Sequence, residues 1–140
     1  MNGSLMENGL LPRRLRPFFY IVLGLSLLAC AGEEQAPAQH WEGIEVSIET
    51  RPNPPRIGIN EVVISTTRPH RQAEYNLLVS IRVNENEKWV QTIQDGHTGI
   101  FRRGLPMNDA GAQTLWVKLE GRETLVGKQT VLHFPITVAP

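Results

Sequence analysis

The feature that most constrains the fold of this chain is an alternation of apolar and polar residues with a period of two. Leu77, Val79, Ile81 and Val83 interleave with Leu78, Ser80 and Arg82, and Ile44, Val46 and Ile48 interleave with Glu45, Ser47 and Glu49. Successive side chains of an extended backbone point to opposite faces, so this spacing yields one apolar face and one wet face; a helix would scatter the same residues around its axis. Leu115, Val117 and Leu119 repeat the pattern, as do Leu132, Phe134, Ile136 and Val138. No segment after Trp41 carries a helical repeat.

Turn chemistry divides the alternating stretches. Arg51-Pro52-Asn53-Pro54-Pro55-Arg56 cannot supply ladder donors at its prolines and reads as a connection. Arg68-Pro69-His70-Arg71, Asn84 to Lys88, Asp95-Gly96-His97-Thr98-Gly99, Pro106 to Gly111 and Gly121-Arg122-Glu123 punctuate the rest. Strands are predicted over 43–50, 60–67, 77–83, 89–94, 100–105, 113–120 and 128–138. Such a series predicts an all-β domain, a seven-stranded antiparallel immunoglobulin-like β-sandwich over residues 41–140. The cysteine-tryptophan-cysteine pattern of antibody domains is absent.

The start of the chain has a different character. Arg13, Arg14 and Arg16 precede an apolar run from Phe18 to Ala29, the order of a signal peptide. The run is shorter than the roughly 20 apolar residues that span a bilayer comfortably. The basic flank places its beginning in the cytoplasm. The chain has a single cysteine, Cys30, at the end of this run, so no disulfide within the chain can support an exported fold.

Leu27-Leu28-Ala29-Cys30 resembles the lipobox of bacterial lipoproteins. The resemblance implies that residues 1–29 are cleaved and that Cys30 becomes the first mature residue, carrying thioether-linked diacylglycerol and an N-linked acyl chain of the palmitate type. Two or more such chains suffice for stable anchoring, at about 0.8 kcal/mol per buried CH2. Residues 30–40 then form a flexible tether of Gly, Glu, Gln, Ala and Pro. Ala31, where the enteric sorting rule reads an aspartate as inner-membrane retention, implies the periplasmic face of the outer membrane if the organism is Gram-negative. Cleavage leaves 11 basic against 13 acidic residues. That balance provides no basic field for nucleic acid.

Within the exported domain, Glu49-Thr50-Arg51-Pro52-Asn53-Pro54-Pro55-Arg56-Ile57-Gly58-Ile59-Asn60 resembles the "proline, apolar, Gly, x, Asn" lead-in to the second strand of YtkA-like and FixH-like envelope proteins. Gly99-Ile100-Phe101 and the segment from Gly111 to Leu119 resemble two further strands of those families. The resemblance implies an accessory protein of the cell envelope linked to respiratory-enzyme or metal-centre assembly. The Met-rich central loop of copper-associated relatives is absent.

Candidate metal ligands in the mature chain are His40, His70, His97, His133 and Met107. His97, Met107 and His133 resemble, with different intervals, the His…Met…His-x-Met pattern of periplasmic copper chaperones of the PCuAC type, with Pro135 at the position of the final methionine. That reading makes the chain a copper carrier. The same residues also read as a turn histidine, a loop-packing methionine and an outward-facing histidine. No serine lies in a nucleophile-elbow setting, no glycine-rich phosphate loop occurs, and Asp95-Gly96-His97 is first of all a turn, so no enzyme activity is expected. Recognition of an envelope partner has better candidates. Alternation puts Trp116 and His133 on the solvent side of two strands expected to be neighbours, while Arg102 and Arg103 either meet a partner's acids or guard a strand edge.

Overall fold

A computed structural model describes residues 35–140. The segment with Arg13, Arg14, Arg16 and Cys30 lies outside the described residues. Ten strands occur among those described: β1 (Gln39–Trp41), β2 (Ile44–Arg51), β3 (Gly58–Arg68), β4 (Gln72–Ala73), β5 (Leu77–Val83), β6 (Val90–Gln91), β7 (Ile93–Gln94), β8 (Ile100–Met107), β9 (Gly111–Gly121) and β10 (Gln129–Val138). Short 3-10 turns cover Pro69–Arg71 and Glu123–Leu125. No described helix is long and apolar enough to cross a membrane.

The strands make two antiparallel sheets. One runs β1-β2-β3-β8-β7, with β4 paired to the end of β3; the other runs β10-β9-β5-β6. The alternation fixes the faces: Ile44, Val46, Ile48 and Thr50 of β2 are buried while Glu45 and Glu49 between them are exposed. Ile48 lies opposite Ile64 on β3, and Ile64 lies opposite Phe101 on β8, so the register keeps the apolar residues on one side. On the other sheet Val79 and Ile81 of β5 lie opposite Leu119 and Val117 of β9, and Phe134 of β10 lies opposite Leu115. These inward residues of both sheets form one buried cluster, which makes the all-β architecture a pair of sheets around a shared core.

Besides the short added strand β4 and shifts of one or two residues at strand ends, the strands differ from the expected set in three places. The stretch expected as a single strand over 89–94 breaks at Thr92, so that β6 pairs with β5 and β7 pairs with β8 in the other sheet. Thr92 makes the crossing by donating its backbone N–H and its hydroxyl to Val79 O, at 2.9 and 2.8 Å. The fifth expected strand continues to Met107, because Leu105 and Met107 prolong its buried phase. The folded region also begins ahead of Trp41, since β1 pairs Gln39 to Trp41 with β2 inside the stretch read as tether.

Two polar knots hold the loops. Asn60 is buried at the start of β3. Its side-chain amide donates to Arg56 O and Gly58 O at 2.6 and 3.0 Å and accepts from Arg56 N at 2.9 Å, closing the proline-rich loop. Farther along β3, the buried Thr66 donates its hydroxyl to Glu74 O at 2.6 Å, while Gly99 O accepts from Thr66 N at 2.9 Å. Gly99 has a φ of +73°, and a Cβ there would lie 2.5 Å from Thr66 O, so only glycine fits this approach.

β10 ends the four-stranded sheet, and its outer edge is unpaired within the sheet. Gln39 Nε2 donates to His133 O at 2.6 Å, which marks the odd-numbered residues of β10 as those whose backbone groups face that edge. Pro135 is one of them and brings no N–H. This interrupts the donor row that would template another strand.

Candidate functional site

The strand register assembles a row of aromatic and cationic side chains on the outer face of the four-stranded sheet. Arg82 of β5 lies opposite Trp116 of β9, and Trp116 lies opposite His133 of β10. Neighbouring strands are spaced about 4.8 Å apart, which suits the stacking of flat groups held at one level. The Arg82 guanidinium carbon lies 4.6 Å from the centre of the Trp116 ring, and the His133 ring lies 4.1 Å from it at a tilt of 42°. Trp89, at the end of the polar turn after β5, comes back over this row. Its ring centre is 4.3 Å from the same guanidinium carbon and 5.0 Å from Lys118 Nζ.

Arg82 is thus bracketed by two indoles. Each cation–π contact of this kind contributes roughly 0.5–1 kcal/mol at a partly exposed site. The bracket also fixes the plane of a side chain that otherwise samples many rotamers. Arg82 Nη1 reaches only Glu87 O, at 3.4 Å, and its buried Nε has no partner. Among the described residues no carboxylate pairs with Arg82, whereas Lys118 reaches Glu120 at 3.8 Å. A planar cation held between two rings, with donors free along its edge, can receive a carboxylate with two parallel hydrogen bonds.

The sequence-predicted residues do not all meet here. Trp116 and His133 are in this row, half-buried and exposed respectively. Arg102 and Arg103 lie on β8, in the other sheet, so they share no patch with Trp116. Arg102 is already engaged by Asp95 at 3.4 Å and Glu61 at 3.8 Å. Arg103 is exposed.

The residues expected as a metal set fall in different parts of the fold. His97 sits in the turn before β8, its ring 4.6 Å from that of Tyr75. Met107 ends β8 inside the core and is 1% exposed, while His133 is on the outer face of the opposite sheet. His97 precedes the start of β8 and Met107 stands at its other end, in an extended strand that rises roughly 3.3 Å per residue. The inward phase of β8 buries the methionine, and the outward phase of β10 exposes the histidine. Among the described residues no group of three or more His, Cys, Asp and Glu side chains converges.

Arg82 and Trp89 were not singled out by the sequence. Their outward phase was readable, but the register that sets Arg82 against Trp116 and the turn that returns Trp89 over both were not. Comparison with protein-family models, with curated proteins and with solved structures finds no match to the chain.

Proposed function

We propose that this chain is a bacterial lipoprotein, anchored through Cys30, whose immunoglobulin-like sandwich works as an accessory binding module in the cell envelope. Its partner is another envelope protein that presents a carboxylate-bearing surface to the Arg82–Trp116 face. The observation that carries this reading is the guanidinium of Arg82, held between Trp89 and Trp116 with no carboxylate of its own among the described residues. Interface anchors are enriched in Trp and Arg, and here both are oriented before any partner arrives. The lipobox-like Leu27 to Cys30 supports the anchoring, and Ala31 favours the outer membrane if the organism is Gram-negative. The YtkA-like and FixH-like resemblance of its strands supports a role, by binding, in respiratory-enzyme or metal-centre assembly.

The test is site-specific photocrosslinking in living cells, with the reactive side chain at Val131, which is exposed on β10. One discrete adduct is expected, and it should weaken at least tenfold with Arg82→Gln while expression is unchanged. An adduct insensitive to Arg82→Gln would overturn the assignment of this face. The anchor is tested separately by labelling with an alkynyl palmitate analogue, whose incorporation should vanish in Cys30→Ser.

A further inference from the structure

The outer face of the six-stranded sheet carries a second surface that the partner-binding reading does not use. Ile59, Ile93 and Ile57 are 80%, 65% and 52% exposed. Ile59 and Ile93 border one shallow groove with Gly104, Arg102 and Arg103. Gly104 keeps the floor low: a Cβ there would come within 3.4 Å of Ile59 Cγ2. The charged residues lining the groove are Glu61, Asp95, Arg102 and Arg103. Glu61 is shared by Arg51 and Arg102, and Asp95 is paired with Arg102. Arg56 and Arg103 are exposed and have no acidic partner among the described residues.

The position of this surface says what covers it. Asn53, Pro54 and Pro55 line the same cleft as Gln35, Ala36 and Pro37, where the described chain begins. Ile57 N donates to Ala139 O at 3.1 Å and Ala139 N to Pro55 O at 2.7 Å, so Ile57 sits beside that cleft, and Ile59 follows on the adjoining strand. Gln35 is five residues from Cys30 in the sequence. Five residues reach at most about 18 Å, whatever their conformation. A lipid on Cys30 therefore keeps this end of the domain close to the bilayer, at an effective concentration that makes even a weak contact persistent.

We infer that the isoleucine surface of the six-stranded sheet, with Arg56 and Arg103 at its rim, rests on the phospholipid bilayer that holds the Cys30 anchor. This inference rests on the lipoprotein reading. The isoleucines enter the boundary between headgroups and acyl chains, and the two arginines meet lipid phosphates. The domain is then oriented on the membrane, with its Arg82–Trp116 face, on the opposite sheet, turned away from the lipid.

The full lipidated protein, reconstituted into vesicles of phosphatidylethanolamine and phosphatidylglycerol, provides the test. The thiol of Cys30 is blocked by lipid, so Ile59→Cys can be labelled selectively with an environment-sensitive fluorophore. Val126→Cys, 71% exposed in the turn beyond the far end of β9, serves as reference. Expected is a blue-shifted emission at position 59 that spin-labelled lipids quench, with neither effect at position 126, and a loss of the shift with Arg56→Glu and Arg103→Glu together. Vesicle-bound protein whose label at 59 behaves like that at 126 would overturn the inference and leave the anchor standing. A label at 59 already shielded in detergent solution, where two copies associate, would also overturn it. Failure of the full chain to float with vesicles would overturn the anchoring reading and the inference with it.

Discussion

The two outer faces of the molecule carry arginines in comparable settings and treat them differently. On the six-stranded sheet Arg51 and Arg102 meet carboxylates. Arg51 pairs with Glu49 and Glu61, and Arg102 with Glu61 and Asp95. The pKa of Arg51 is raised, first by its hydrogen bond to Glu49 and then by the charge of Glu49, with a smaller contribution from Glu61. On the four-stranded sheet Arg82 meets aromatic rings instead. Arg82 and Arg102 each bury an Nε without a partner, so that cost is common to both. The difference lies in the charge left over. Carboxylates neutralise Arg102, whereas indoles hold Arg82 in place and leave its charge available to a ligand.

Both faces depend on the core between them, and the largest expected effects come from breaking it. Phe134 of β10 and Phe101 of β8 are among the largest fully buried side chains, one from each sheet. Phe134→Ala should cost about 3–5 kcal/mol in urea unfolding, the lost transfer energy plus the cavity left behind. Loss below about 1 kcal/mol would mean that the sheets do not close over this residue. Gly99→Ala should come next, at about 2–3 kcal/mol, because the new methyl meets Thr66 O in a backbone conformation that side chains avoid. Thr66→Val should not relieve that clash, since the oxygen belongs to the backbone; relief would show that the loop has rebuilt elsewhere.

These buried features were unequally readable from the sequence. The alternation of Ile44 to Ile48, Leu77 to Val83 and Leu115 to Leu119 announces strands, inner faces and an all-β fold, because period-two patterning is a local property. The break at Thr92 was hidden. Its cause is the Val79 carbonyl, distant in sequence, and nothing around Thr92 distinguishes a strand that changes sheets from one that does not. Asn60 appeared in the sequence as part of a motif, but its work, closing the loop through Arg56 and Gly58, depends on the folded path of the chain. The site was legible in its parts only. Phase turned Trp116 and His133 outward, while the bracket around Arg82 required the register of β5 on β9 and the return of Trp89. The separate placement of His97, Met107 and His133 was hidden for a related reason, since sequence intervals do not say which ends and faces of strands these residues occupy.

A smaller and more specific effect should come from the four-stranded face. Arg82→Ala removes two ring contacts and should lower stability by about 1–2 kcal/mol in denaturant titration. It should also raise the fluorescence anisotropy decay rate of Trp89, freed from its guanidinium partner. Arg82→Lys keeps the charge but not the plane, so it should recover little of the partner adduct expected in cells even where stability is partly restored. If lysine restored the adduct fully, the bracket would be supplying only charge, and the contrast between the two faces would shrink to electrostatics.

The smallest effect is expected from the matching change on the other sheet, and its size sharpens the comparison most directly. Arg102→Ala deletes contacts at 3.4 and 3.8 Å between partly exposed groups, where screening by water leaves a pair worth about 0–1 kcal/mol. It also removes a buried Nε that has no partner, which offsets part of that loss. A destabilisation of no more than about 0.5 kcal/mol at low ionic strength is therefore expected, fading to nothing at molar salt, where the Debye length is about 3 Å. The penalty for Arg82→Ala should change little over the same salt range, because its contacts are stacked and partly shielded from ions. Equal salt dependence for the two variants would show that both arginines act through solvent-screened charge, and the guanidinium between Trp89 and Trp116 would lose its distinction from those paired with acids.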